Sequence, residues 1–81
     1  MVMKKAYTDK QGQYLAFIYY YTKVSGRAPS EADIQTYFRV KPSSVHQMVV
    51  TLEANGLIAR VAGQARSMRL LVRSQELPDL D

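Results

Sequence analysis

The residues best equipped for chemistry lie together in the stretch PSSVHQMVVTLEANG, from Pro42 to Gly56. At helical spacing Val45, Met48, Val49 and Leu52 make one apolar stripe, and Ser43, Ser44, His46, Gln47, Val50 and Thr51 fall opposite it. Hydroxyl, amide and imidazole groups donate and accept hydrogen bonds without a fixed negative charge. Such groups can read base edges in a major groove, where glutamine pairs bidentately with adenine and an apolar side chain meets the thymine methyl. The same pattern also describes an ordinary solvated helix face. The choice between the two rests on what surrounds the helix.

Other chemistries lack parts. His46 is the only histidine and cysteine is absent, so no second ligand stands ready to share a metal. Ser30, Ser43, Ser44 and Ser67 occur without a nucleophile elbow, and there is no glycine-rich phosphate loop. The chain is therefore not expected to be an enzyme or to need a cofactor or metal. Nor does it carry a signature for a small-molecule ligand.

Charge narrows the partner. The 81-residue chain has a net charge of +4. All its lysines and arginines precede Ser74, whereas Glu76, Asp79 and Asp81 make residues 74–81 an acidic tail. A small basic body points to a polyanion, nucleic acid first. The absence of cysteine fits a cytoplasmic protein. No apolar run approaches membrane-spanning length, and the N-terminus does not read as a signal peptide.

The elements that must hold this helix can be read from caps and periodicity. Residues 1–7 read as a flexible basic arm carrying Lys4 and Lys5. Thr8 with Gln11 is a capping box that starts a first helix, and Gly26 ends it after Ser25. Gln11, Tyr14, Leu15, Ile18, Tyr21 and Thr22 are its expected core face. Ser30 with Asp33 starts a second helix to about Phe38, with Ile34, Tyr37 and Phe38 inward. Arg39, Val40 and Lys41 make a tight turn into the Pro42 helix, and Pro42 suits the first helical position. Beyond Gly56 the period changes. Residues 57–61 and 67–72 read as two strands around a turn at 62–66. The expected architecture is mainly α with a small β-hairpin, a three-helix winged helix-turn-helix over residues 8–73.

In the order and spacing of these features the chain resembles the DNA-binding domain of the LexA repressor family. The carriers are the Gln11 to Ile18 helix, Gly26-Arg27-Ala28-Pro29-Ser30, the Pro42-led helix, Leu52-Glu53-Ala54-Asn55-Gly56-Leu57-Ile58 and the wing Gly63-Gln64-Ala65-Arg66-Ser67-Met68-Arg69-Leu70. The resemblance runs from about Tyr7 to Val72. It implies a third helix in the major groove, with the family's base-reading positions occupied here by Ser43, Ser44, His46 and Gln47. Val50 is added as a contact for a thymine methyl. These residue types differ from those of well-known members, so no operator sequence transfers. Arg39 stands where the family usually has a glycine, and the turn is one residue shorter. The resemblance does not extend to the family's self-cleaving protease domain, so induction by self-cleavage is not carried over.

Sequence-specific binding of double-stranded DNA as a transcriptional regulator is thus the leading expectation. Arg39, Lys41, Thr51, Arg60, Gln64, Arg66 and Arg69 are the expected phosphate contacts, at the helix entrance and on the wing. The competing reading is a winged helix serving as a protein-interaction or assembly module without its own operator. Membrane association is not expected, since no basic amphipathic helix is present. A homodimer is expected because one small winged helix reads few base pairs. Phe17, Tyr20 and Val24, with Gln13, form a second stripe on the first helix that would supply the interface.

Overall fold

A computed structural model of the chain describes residues 7–81, so residues 1–6 of the expected arm, with Lys4 and Lys5, lie outside the described residues. Three helices follow one another: α1 (Asp9–Ser25), α2 (Glu31–Phe38) and α3 (Pro42–Ala54). Two strands, β1 (Ile58–Ala59) and β2 (Arg69–Leu70), and a short 3-10 turn (Ser74–Glu76) complete the chain. The arrangement is a winged helix-turn-helix.

Local chemistry sets each boundary. At the start of α1 the Thr8 hydroxyl accepts from the Gln11 amide at 3.1 Å, and Gln11 Oε1 accepts from the Thr8 amide at 2.9 Å. This reciprocal pair satisfies donors that a helix start leaves open. The helix ends on Gly26 in the left-handed region, φ 77°. Ser30 and Asp33 repeat the box at α2. With both ends capped, the strand-favouring run FIYYYT is helical, because helical burial outweighs local preference.

The core gathers Tyr14, Leu15, Ile18, Ile34, Val45, Val49, Leu52 and Ile58, each essentially inaccessible. Tyr14 stacks on Phe38 with ring centroids 4.3 Å apart. Phe17 is 7% exposed and meets Tyr37 at 4.7 Å and Phe38 at 5.7 Å. It belongs to the core of the monomer, not to the exposed stripe expected from the helical wheel. Tyr37, expected inward, is instead 43% exposed.

Phe17 is covered by α2, and the first turns of α1 are covered by the C-terminal segment, which folds back along the helix. Gln13 donates from Nε2 to the Asp79 carbonyl at 2.9 Å and accepts the Asp81 amide at 2.8 Å. The hydroxyls of Tyr7 and Tyr37 donate to the carbonyls of Glu76 and Asp81. Leu77 and Leu80 pack against the core. Pro78 and Tyr7 lie so close to Gly12 that an added Cβ would sit 3.1 Å and 2.7 Å from them. The first turns of α1 are thus covered on two sides, and a single apolar stripe does not describe them.

The hairpin is shorter than its sequence pattern. Ile58 pairs with Leu70 and Ala59 with Arg69, and the Leu71 amide reaches the Leu57 carbonyl at 2.9 Å. Beyond Ala59 the Ser67 hydroxyl takes over, accepting the Val61 amide at 2.9 Å and facing the Val61 and Gln64 carbonyls. A side chain satisfies groups that a longer ladder would have paired, so residues 61–67 form a loop. Gly63, φ 73°, and Arg66, φ 56°, turn it.

Candidate nucleic-acid interface

The outward face of α3 has a centre and two rims. Val45, Val49 and Leu52 are buried. At 100° per residue the direction opposite them passes through Ser43, Gln47, Val50 and Ala54, all exposed. Ser44 and Thr51 lie at one rim, where a shallow cleft joins them to Gln11 of α1. His46 and Glu53 lie at the other, toward α2 and the hairpin. The centre holds an amide, a hydroxyl, a branched apolar group and a methyl, with no carboxylate. Lys41 precedes Pro42 as the N-cap residue and makes no side-chain cap bond, which places a cation at the positive end of the helix dipole.

The second rim is ionic. His46 Nδ1 lies 3.4 Å from the Glu31 carboxylate in the first turn of α2. Arg60, just past β1, places Nη1 3.3 Å from Glu31 and Nε 3.0 Å from Glu53. Arg66, at the far end of the wing loop, aims Nη1 at the Asp33 carboxylate (2.9 Å), the Ala28 carbonyl (3.2 Å) and the Tyr21 hydroxyl (3.3 Å). The Ser30 backbone amide, with the Ser30 hydroxyl, the Tyr21 hydroxyl and Arg66 adding to it, holds the Asp33 carboxyl below its ordinary value. Arg60 and Arg66 were both expected on phosphate. Here their guanidinium groups are taken up within the chain, since nearby carboxylates and a carbonyl offer fixed acceptors at short range.

Residues 3–67 match the LexA DNA binding domain model. The chain belongs to the LexA DNA-binding domain family. It is 37% identical over 75 residues to the LexA repressor of Thermosipho melanesiensis, covering 93% of this chain and 37% of that protein. Its identity to the LexA repressor of Thermosipho africanus is 35% over 71 residues, covering 88% of this chain and 36% of the relative. For the LexA repressor of Pseudothermotoga lettingae it is 36% over 75 residues, with shares of 93% and 37%. The chain thus spans little more than a third of these relatives. DNA binding is the property that describes the family, and it is the function of this domain.

Within the LexA-type frame, Arg39 occupies the left-handed cap of α2 at φ 56° and ψ 49°, with its amide bonded to the Gln35 carbonyl. The conformation that favours glycine is therefore kept without one. Arg39, Lys41, Thr51, Gln64 and Arg69 are exposed. Thr51 donates its hydroxyl to the Gln47 carbonyl at 2.9 Å, and Arg69 lies on the α1 flank of the hairpin beside Tyr19, Thr22 and Lys23. Tyr20 and Val24 remain exposed on α1, at 39% and 85%, without Phe17 beside them.

Three residues of this surface escaped the sequence reading. Ala54 lies past the polar cluster, and in the sequence Gln11 carries only core and capping signals. Glu31 was hidden in a helix-start signal; the acidic pair Glu31 and Asp33 beside a wing rich in arginine was its only trace. Among the described residues, no group of three or more histidine, aspartate or glutamate side chains could hold a metal, and no helix is long and apolar enough to cross a membrane.

Proposed function

We propose that this chain binds a specific duplex as a transcriptional regulator, with the centre of α3 in the major groove. The observation that carries this is the exposed, carboxylate-free strip Ser43, Gln47, Val50 and Ala54, with Lys41 at its leading end. Ser43, Gln47 and Val50 face the base edges, while Ser44 and His46 reach them from the rims. Arg39, Lys41 and Arg69 supply charge to the phosphates, and Thr51 and Gln64 add neutral contacts. The reading involves no catalysis, and its site of action is the cytoplasm, where bacterial DNA is. An interaction-only winged helix is less well supported, because it gives this strip no task.

Selection of bound duplexes from a random pool tests the proposal, followed by salt titration of the winner. Phosphate contacts from Arg39, Lys41 and Arg69 give a log–log slope near −3 per protomer, whereas counting Arg60 and Arg66 as well would bring it to about −4 to −5. Enrichment of no sequence, or a flat salt response, overturns the reading.

The second half-site comes from a second copy of the chain. Its interface is the exposed pair Tyr20 and Val24, one turn apart on α1, with Phe17 acting only from beneath. Sedimentation at tens of micromolar should give a dimer that Tyr20→Glu dissociates. A monomeric wild type, or a dimer indifferent to the substitution, removes this interface.

A further inference from the structure

The two arginines paired within the chain stand at opposite ends of the wing loop, and each reaches the first turn of α2. Arg60 leaves β1 and meets Glu31; Arg66 precedes β2 and meets Asp33. Both carboxylates belong to the opening turn of α2, where a helix start already favours negative charge. The pairs are half-buried, with side-chain exposures of 23% for Arg60 and 31% for Arg66. Arg60 further joins Glu53, the only carboxylate of α3, and Glu31 faces His46.

We infer that Arg60 is a positioning residue. With Arg66 it seats the wing on the acidic first turn of α2, and it screens Glu31 and Glu53 from the bound duplex. An unscreened pair of carboxylates on that rim would face phosphates and repel them. A wing freed from α2 would lose its fixed angle to α3, so Gln64 at its tip would meet the backbone only part of the time. The screening half of the inference rests on the DNA reading above; the seating half does not.

A mutant cycle with Arg60→Ala, the pair Glu31→Gln and Glu53→Gln, and all three together separates the possibilities. Affinity is measured on the selected duplex, and amide exchange is followed at Leu71, whose amide closes the hairpin on Leu57. Exchange at Ile34, bonded to the Ser30 carbonyl, serves as a control for intact folding. Arg60→Ala should weaken binding about tenfold and speed Leu71 exchange while leaving Ile34 protected. The carboxamide pair should raise affinity several-fold in the Arg60→Ala background and much less in the wild type. A ligand of phosphate predicts the reverse order, since freeing Arg60 from its carboxylates helps only when Arg60 is present. That reverse order, or equal gains in the two backgrounds, overturns the screening role. Unchanged Leu71 exchange overturns the seat. If the wild type binds no duplex, the DNA reading and screening both fall, and Leu71 exchange alone judges the seat.

Discussion

Gln47 and Arg39 show how much a single side chain can be asked to do on this surface. Gln47 sits at the centre of the exposed face of α3, and its amide has the geometry to pair bidentately with an adenine, a contact worth ~1–3 kcal/mol. Gln47→Ala should relax preference at one base pair per half-site and leave affinity for random duplex nearly intact. Equal loss on every sequence would show that it does not read. Arg39 illustrates a conflict between stability and binding. Its left-handed conformation, φ 56°, is one that a side chain with a Cβ adopts at a cost of about 1 kcal/mol. Arg39→Gly should therefore raise the melting temperature by about 4–8 °C. The same change should weaken DNA binding and reduce the salt slope by about 0.9, as one phosphate contact disappears. A stabilised protein with unaltered salt dependence would remove Arg39 from the contact set.

At the scale of elements, the wing depends on α2 as much as on its own strands. Two ladder pairs are too few to hold a hairpin in water. The Ser67 hydroxyl and the anchors to Glu31 and Asp33 make up the difference. Asp33 links this anchorage to pH. Its carboxyl is held below the ordinary value of 3.8, first by the Ser30 amide. A group whose folded value is depressed binds protons more readily when unfolded. Its stabilising effect is therefore present above 3.8 and is lost as pH falls through the lower folded value. Asp33→Asn should lower stability at neutral pH by about 1–2 kcal/mol, through loss of the charged cap and of the Arg66 pair. It should also flatten the acid limb of stability below 3.8 relative to wild type. Thermal melts from pH 7 to pH 2 would test both effects; parallel curves for the two proteins would exclude the linkage.

For the molecule as a whole, the C-terminal segment supplies cover that the helices and hairpin do not. Leu77 and Leu80 are half-buried against the core, and the side chains of Gln13 and Tyr37 hydrogen-bond the segment's backbone and fix it along α1. Ending the chain after Arg73 should lower stability by about 2 kcal/mol, the order expected for two partly buried leucines. In a domain of this size that is about 10 °C in melting temperature. The truncation also deletes Glu76, Asp79 and Asp81, so at low salt the remaining body should bind any duplex more tightly. Lower melting temperature with higher low-salt affinity is the expected pair of outcomes. A truncated chain that melts like the full one would mean the segment only rests on the surface.

The boundaries of the three helices were legible in the sequence, because their signals are local. Thr8 with Gln11, Ser30 with Asp33, Pro42 and Gly26 each act on backbone groups within one turn of themselves. The apolar stripe of α3 was legible for the same reason, since one helix packing on one core leaves a simple period. Pairings between distant residues were not. Phe17 was assigned to the surface because its cover comes from α2, and the first turns of α1 were misread because the C-terminal segment lies over them. Arg60 and Arg66 read as phosphate ligands because a cation on a wing is unpaired in sequence. Their partners Glu31, Glu53 and Asp33 lie 29, 7 and 33 residues away. Charge finds its counter-charge through space, and only the packing of α2 against α3 and the hairpin decided which wing cations are paired within the chain.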